Sequence, residues 1–445
     1  MMMVAPRFIA VDDKKEHLEA IVSSLQRIGA PCVGVQYDVQ NDLDISHFRG
    51  VRCLFMDLHL SGGNLKTDHK GDYGRIQQIL EDCINPRGGP FILVMWTQHP
   101  HLKDELIAYL EKNIHEDRPY ARPLAVLSLA KDKYLADLDN GVVGDSQALL
   151  TAIEESILGN PQLAVLLQWE ADVLRAAGAT LASLLELVPI SSRTNAHYSD
   201  ALDSLLSRLV IETVGTNHVS GDPRAAITTA LAPILSDRVQ NQDVTAAETA
   251  TWGAAVTKHT TKMPKADPIE AGSINRMLHL AIPGTEKLSA TDWGAVVPWP
   301  FEWNDGTLAN LTGLNIKDML CQQFKMRSAS MGRCCPVLVR VGAACDYAQA
   351  NPGPITYLFG LEIPEDAERQ DVKIPDAIWV SPVFFRDATK GPYRIRAHIR
   401  FPQTHLSTTA NAWPVTSRLR EQLLMHLINA ASTYVARPGI VQIPG

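Results

Sequence analysis

The sequence predicts a multidomain protein with a doubly wound α/β domain over residues 1–158, a helical connector over 159–285 and an α+β domain over 286–445. Three observations predict it. Five short apolar runs alternate with amphipathic segments in the first part. A leucine-rich helical stripe dominates the second, and strand-like runs separated by Gly, Pro and Asp clusters fill the third. A chain of 445 residues also exceeds what one ordinary hydrophobic core serves.

The five runs are Phe8–Val11, Cys32–Val35, Val51–Met56, Phe91–Trp96 and Leu124–Leu129. They are rich in Val, Ile and Leu without apolar/polar alternation, the pattern of parallel strands buried on both faces. Between them, Leu18, Ile21, Val22, Leu25 and Ile28 share a helical face, as do Leu106, Tyr109 and Leu110. Asp145 is a predicted cap for a helix carrying Leu149, Ala152, Ile153 and Ile157. The segment NDLDISHF between the second and third strands leaves room for one or two helical turns only.

In the connector, the stripe from Leu163 to Val188 predicts a long helix that Gly178 would kink or divide. A second helix is expected over 198–214, and a third over Ala225–Leu235, ended or kinked at Pro233. The stretch QNQDVTAAETATWGAAVTKHTTKMPKADP reads as a loop or linker. Beyond it, strands are expected at Val337–Val341, Ile355–Ile363, Ile378–Phe385 and Tyr393–Phe401, the last two as a hairpin. A terminal helix is expected over Val415–Val435, with Arg418 and Arg420 near its start, where the dipole disfavours cations. A carboxylate, Glu421 or one elsewhere in the chain, is expected to offset them.

Composition narrows the function classes. Residues 1–160 hold 16 Lys and Arg against 23 Asp and Glu, so they carry seven of the eight net negative charges; the rest holds 25 against 26. No whole domain is basic, which argues against a general nucleic-acid binder. No apolar stretch reaches the length of a bilayer span. Seven cysteines, an odd number without disulfide-like spacing, predict a reducing, cytoplasmic setting.

In a parallel α/β sheet all strand C-termini open at one edge, where ligands bind. Asp12 and Asp13 follow the first strand, Asp57 the third, Thr97 the fourth and Lys131 the fifth, with Lys133 as an alternative to Lys131. Three carboxylates at one edge repel one another and call for a cation, and an all-oxygen set suits Mg²⁺. A carboxylate beside such a cation can serve as a phosphate-accepting nucleophile. A hydroxyl and an ammonium can then stabilise phosphoryl oxygens.

Residues 7–158 resemble the receiver domain of two-component response regulators in the segments VDD, MDL, WTQ and LAKDK. The resemblance implies that Asp57 is the phosphoacceptor and that Asp12, Asp13, Asp57 and the backbone carbonyl of His59 hold Mg²⁺. It also implies that Thr97 and Lys131 stabilise the phosphoryl group and that the domain is receiver- or flavodoxin-like. With GPFILVMWTQHP, these features are similar to a divergent receiver subgroup encoded in prokaryotic loci beside histidine-kinase/Hsp90-type ATPases, some in phage defence. An ATPase of that type, or a phosphorelay protein, is therefore the expected partner. The expected role is a signalling protein whose phosphorylation controls a C-terminal output domain. The alternatives are a constitutive adaptor docked on the ATPase, and an effector enzyme or nucleic-acid binder that uses residues 286–445. Three departures predict a different output switch. No proline follows the acceptor, where SGGNLKTDHKGDYG inserts a longer loop bearing Asp68 and His69, expected to be solvated. The fifth strand carries Leu127, Ser128 and Leu129 in place of the usual aromatic residue, and Asp132 follows Lys131.

Three features remain outside the resemblance. Arg193 and His197 in RTNAH have the residue types of a helical RNase pair, but their gap is too narrow on a helix and a capped loop is expected. In VLVRVGAACDYAQ, Cys345 and Asp346 end a strand; a buried cysteine with a capping aspartate is expected, an output site or ligand pocket being the alternative. Cys321, Cys334 and Cys335 fit no common zinc spacing. In YRIRAHIR, Arg394, Arg396, His398 and Arg400 fall on one strand face. That face is expected to be solvated, with a nucleic-acid or anion patch, joined by Arg386 and Lys390, as the alternative.

Overall fold

The computed structural model describes residues 7–437 apart from 28–29, 41–42, 61–68, 138–141, 194–196, 261–262, 344–346, 348–352 and 368–371. Cys345, Asp346 and Asp68 lie outside the described residues. The chain packs into two compact units, Met1–Ala177 with Asn241–Thr261, and Gly178–Gln240 with Lys262–Gly445. The helical middle region is thus shared between them.

In the first unit, β1 (Phe8–Asp12), α1 (Lys15–Arg27), β2 (Cys32–Gln36), β3 (Cys53–Met56), α2 (Lys70–Cys83), β4 (Ile92–Thr97), α3 (Lys103–Asn113) and β5 (Ala125–Ala130) follow in order. Among its described residues, the connection between β2 and β3 carries a short 3₁₀ helix, Ile45–Gly50. All strand pairs are parallel, in the order β2-β1-β3-β4-β5. The spatial order of the strands reverses after β2, so β1 and β3 flank a topological switch point. Alternate strand residues feed two cores. Ile9, Val11, Leu54, Met56, Leu93 and Met95 pack with Ile76 and Leu80 of α2 and Leu106 and Leu110 of α3. Ala10, Phe55, Val94 and Trp96 pack on the other side with Leu18, Ile21 and Leu25 of α1. The uninterrupted apolar runs of β1, β3 and β4 have this cause: these central strands are buried on both faces.

A four-residue turn of helix, α4 (Lys131–Tyr134), follows β5 directly, then a small antiparallel pair, β6 (Leu135–Asp137) and β7 (Val142–Val143). Asp145 caps α5 (Ser146–Leu158) by accepting from the amides of Gln147 and Ala148. The long helix α6 (Pro161–Glu186) runs on past Gly178 without division. Its Glu170 ties it to the sheet through Arg52, at 2.6 Å, and Arg7, at 3.1 Å. The Arg52 hydrogen bond holds the Glu170 carboxyl below its ordinary range. A helix over Ala246–Ala255 stands where a loop was expected, opened by a capping box in which Thr245 and Glu248 satisfy one another's amides.

In the second unit, helices cover Tyr198–Val214, Thr216–Gly221, Pro223–Gln240 and Pro268–His279. The third contains Pro233 in its interior rather than ending there. Helix Pro268–His279 starts at Asp267, whose carboxylate accepts from the amides of Ile269 and Glu270. Of the segment RTNAH, residues 194–196 lie outside the described residues, but Arg193 is placed. Its guanidinium donates to the carbonyls of Leu185, Glu186 and Val188, left open where a helix ends.

The sheet of this unit has eight strands: β8 (Leu280–Ala281), β9 (Ala295–Pro298), β10 (Cys335–Val341), β11 (Pro354–Pro364), β12 (Ile378–Val380), β13 (Phe384–Phe385), β14 (Pro392–Leu406) and β15 (Ser417–Leu419). Its order is β12-β14-β11-β10-β9-β15-β8, with β13 also on β14, and the pairings are antiparallel. The terminal helix spans Glu421–Val435 and starts later than expected, because Ser417–Leu419 is a strand. Arg418 and Arg420, the latter at the helix N-cap, both meet Glu286, at 3.3 and 2.8 Å, and this carboxylate offsets their charge at the helix's positive end. No helix among the described residues is long and apolar enough to cross a membrane.

Candidate functional site

The candidate site lies at the C-terminal edge of the parallel sheet. Parallel pairing sets Val11 beside Met56, and the Asp57 amide continues the ladder by donating to the Val11 carbonyl at 3.0 Å. Asp12 and Asp57 therefore leave neighbouring strands at one level. Oxygens of Asp12, Asp13 and Asp57 all lie within 4.8 Å of one another. From the far side, Lys131 reaches back from the end of β5 across two strand spacings of about 4.8 Å. Its Nζ stands 2.8 Å from Asp12 Oδ2 and 3.1 Å from Asp57 Oδ2. Lys133 instead lies over the ring of Tyr134. Of the two lysines, the structure brings Lys131 to the carboxylates.

Lys131, Asp12 and Thr97 are all buried. An ammonium removed from water needs full charge compensation, and two carboxylates supply it. Burial pushes the Asp12 carboxyl from 3.8 up to about 6; Lys131 opposes that shift and Asp57 adds to it. Asp12 Oδ1 also accepts from the Lys14 amide at 2.9 Å. Asp13 Oδ1 is sealed from solvent without a hydrogen-bond partner. Thr97 Oγ1 accepts from the His99 amide at 3.1 Å, which leaves its own proton to donate.

His17, a residue the sequence reading missed, sits on the buried face of α1 with Nδ1 at 3.1 Å from Lys131 Nζ. Because an ammonium only donates, Nδ1 accepts there and the ring proton sits on Nε2. The available signal was its position in VDDKKEH, in the first turn of the helix that leaves the acidic strand end.

A second group of side chains borders this pocket. His59, His69 and Asp72 bring donor atoms within 4.8 Å of one another. The His99 ring centroid is 5.2 Å from that of His59. Burial holds the His99 imidazole below its ordinary pKa; His59, His101 and His69 reinforce this and Asp57 opposes it. His69, expected in a solvated loop, is mostly enclosed, at the position that caps α2.

The arginines of β14 do not form one open basic face. Arg396 is buried and donates to the Phe324 carbonyl at 3.2 Å. Arg394 donates to the Ser381 carbonyl and pairs with Glu365, and Arg400 alone of the three is exposed. Arg386 is held by Glu362 at 2.7 Å, over the ring of Tyr393. Their alternation is real, but the sheet is covered on both sides here, so the polar side chains turn inward to carbonyls and carboxylates.

The chain matches no family model, and neither the curated proteins nor the solved structures contain a match to it.

Proposed function

We propose that the first unit is a receiver-type phosphoacceptor and that the protein is a signalling component whose Asp57 takes a phosphoryl group. One observation carries this reading: Lys131 bridges Asp12 and Asp57 at 2.8 and 3.1 Å, in a pocket where three carboxylates converge. The strand order 2-1-3-4-5, with the acids at its switch point, supports the finer reading of the fold as flavodoxin-like.

The residues suit a magnesium ion. The unpartnered Asp13 Oδ1 and the two neighbouring carboxylates offer hard oxygen donors only. Asp12, Asp13, Asp57 and the His59 backbone carbonyl would hold it. When bound, the ion neutralises carboxylates and phosphoryl oxygens that otherwise repel one another.

The chain's own groups do the rest. A carboxylate oxygen of Asp57 attacks the phosphorus of a donor; the new O–P bond forms as the donor's bond to phosphorus breaks and the donor keeps that electron pair. The Thr97 hydroxyl donates to one phosphoryl oxygen. Lys131 turns its ammonium from Asp57 to another, keeping Asp12 as its counter-charge. A histidine-kinase/Hsp90-type ATPase or a phosphorelay protein would be the donor, and residues of the second unit the output.

The test is Mg²⁺-dependent binding of a fluoroberyllate phosphate mimic to the full chain. Wild-type protein is expected to bind it and Asp57→Asn to show background only. Equal binding by the two proteins removes the phosphoacceptor role and leaves the adaptor reading.

A further inference from the structure

We propose that His59, His69 and Asp72 form a second cation site that takes a zinc-class transition-metal ion, with the His99 ring beside it. The site does not depend on the phosphoryl chemistry of Asp57; it needs only the geometry that follows.

Asp72 Oδ2 stands 3.9 Å from His59 Nε2 and 3.7 Å from His69 Nδ1. These distances are too long for hydrogen bonds. They are close to the separation of ligand atoms around a tetrahedral zinc, which bond lengths of about 2.0–2.1 Å put at roughly 3.4 Å. A shift of a few tenths of an ångström in side chains would close the set. His59 Nε2 is sealed from solvent and makes no hydrogen bond. A buried ring nitrogen without a partner is costly, and a metal ion is a partner that fits between it and Asp72.

Local structure supports the same grouping. His69 occupies the N-cap position of α2 without a capping hydrogen bond from its side chain, and Asp72 lies three residues on, so the two are neighbours at the first turn. His59 leaves β3 just beyond Asp57, and His99 leaves β4 just beyond Thr97. Ring centroids of His59 lie 5.4 Å from His69 and 5.2 Å from His99.

The donor set separates the two sites chemically. Asp12, Asp13 and Asp57 present oxygen only and suit a hard cation; imidazoles with one carboxylate suit zinc and its neighbours in the transition series. His59 belongs to both, by its backbone to the first and by its ring to the second. A metal held there would fix the chain where it leaves Asp57 and join it to the start of α2.

The test uses the full-length protein, stripped by a chelator and titrated with Zn²⁺ in excess Mg²⁺. One zinc per chain is expected, not displaced by Mg²⁺, and Co²⁺ in its place should give the absorption of a tetrahedral or five-coordinate site. His69→Ala and Asp72→Asn are each expected to weaken zinc binding at least about 100-fold, since even outer-shell partners of a metal typically contribute about 10–100-fold. Both positions are partly exposed, so both variants should keep the wild-type circular dichroism. Asp57→Asn is expected to bind zinc as the wild type does. Unchanged affinity in both His69→Ala and Asp72→Asn overturns the site. Loss of zinc in Cys335→Ser with retention in His69→Ala assigns the ion to the cysteines and also overturns it.

Discussion

Asp12 ends β1 between charges of opposite sign, Lys131 and Asp57, and out of solvent. Its carboxyl, raised from 3.8 to about 6 by burial, binds a proton in the folded protein that the unfolded chain has already released. Between those pH values stability from this group therefore falls as pH rises. A divalent cation favours the ionised form and acts in the opposite sense. Saturating Mg²⁺ should then raise the melting temperature more at pH 7.5 than at pH 5. Equal shifts at both pH values would remove Asp12 from the cation's ligands. The arginines of β14 give a second contrast. Arg396→Ala empties a buried site and strands the Phe324 carbonyl, and should cost about 2–4 kcal/mol. Arg400→Ala is exposed and should stay within about 0.5 kcal/mol. Chemical denaturation of the two variants measures both. The strand alternation in YRIRAHIR was legible, but the layer that covers its second face was not.

Among the elements, helix Pro268–His279 shows how closely backbone can approach backbone in the second unit. A Cβ on Gly272 would stand 2.7 Å from the Phe385 amide nitrogen and 2.8 Å from the Phe384 carbonyl carbon. Asn275 and Arg276 extend the same seam by donating to the carbonyls of Val383 and Arg386. Gly272→Ala should cost about 1–3 kcal/mol by overpacking, and a melting temperature equal to the wild type's would show that the helix can lift off β13. The helix was legible at its start, where Asp267 and Pro268 are cap and first-turn residues. The capping box at Thr245 and Glu248 was equally legible, and the composition around it obscured it. Pro233 was a different case. It removes a helical hydrogen bond, a local cost of about 3 kcal/mol. The helix continues to Gln240 because Ala226 packs with Val210 and Val214 and because Arg238 donates to Ser183 at 2.7 Å. Tertiary contacts outweighed propensity there.

For the whole molecule, two units with separate cores predict unfolding that is not a single two-state transition. Only the unit that carries the three carboxylates should respond to Mg²⁺. Calorimetry with and without the cation is therefore expected to move one transition and leave another, and Asp57→Asn should reduce the movement. A uniform shift of every transition would place the cation's effect elsewhere. The charge distribution agrees in sign, since residues 1–160 hold nearly all of the net negative charge.

Taken alone, the sequence determined the parallel sheet and the carboxylates at its edge. Both follow from local rules: an apolar run buried on two faces has no alternation, and parallel strands all end on the same side. Tertiary structure decided which side chains meet. It selected Lys131 over Lys133, because only the first residue after β5 turns back under the edge. It brought His17 from α1 to that lysine. It also gathered His59, His69 and Asp72, from the end of β3 and the start of α2, with His99 from beyond β4. No periodicity reports such a meeting, because it depends on how far each crossover carries the chain, and that distance is set by the packing of helices on the sheet.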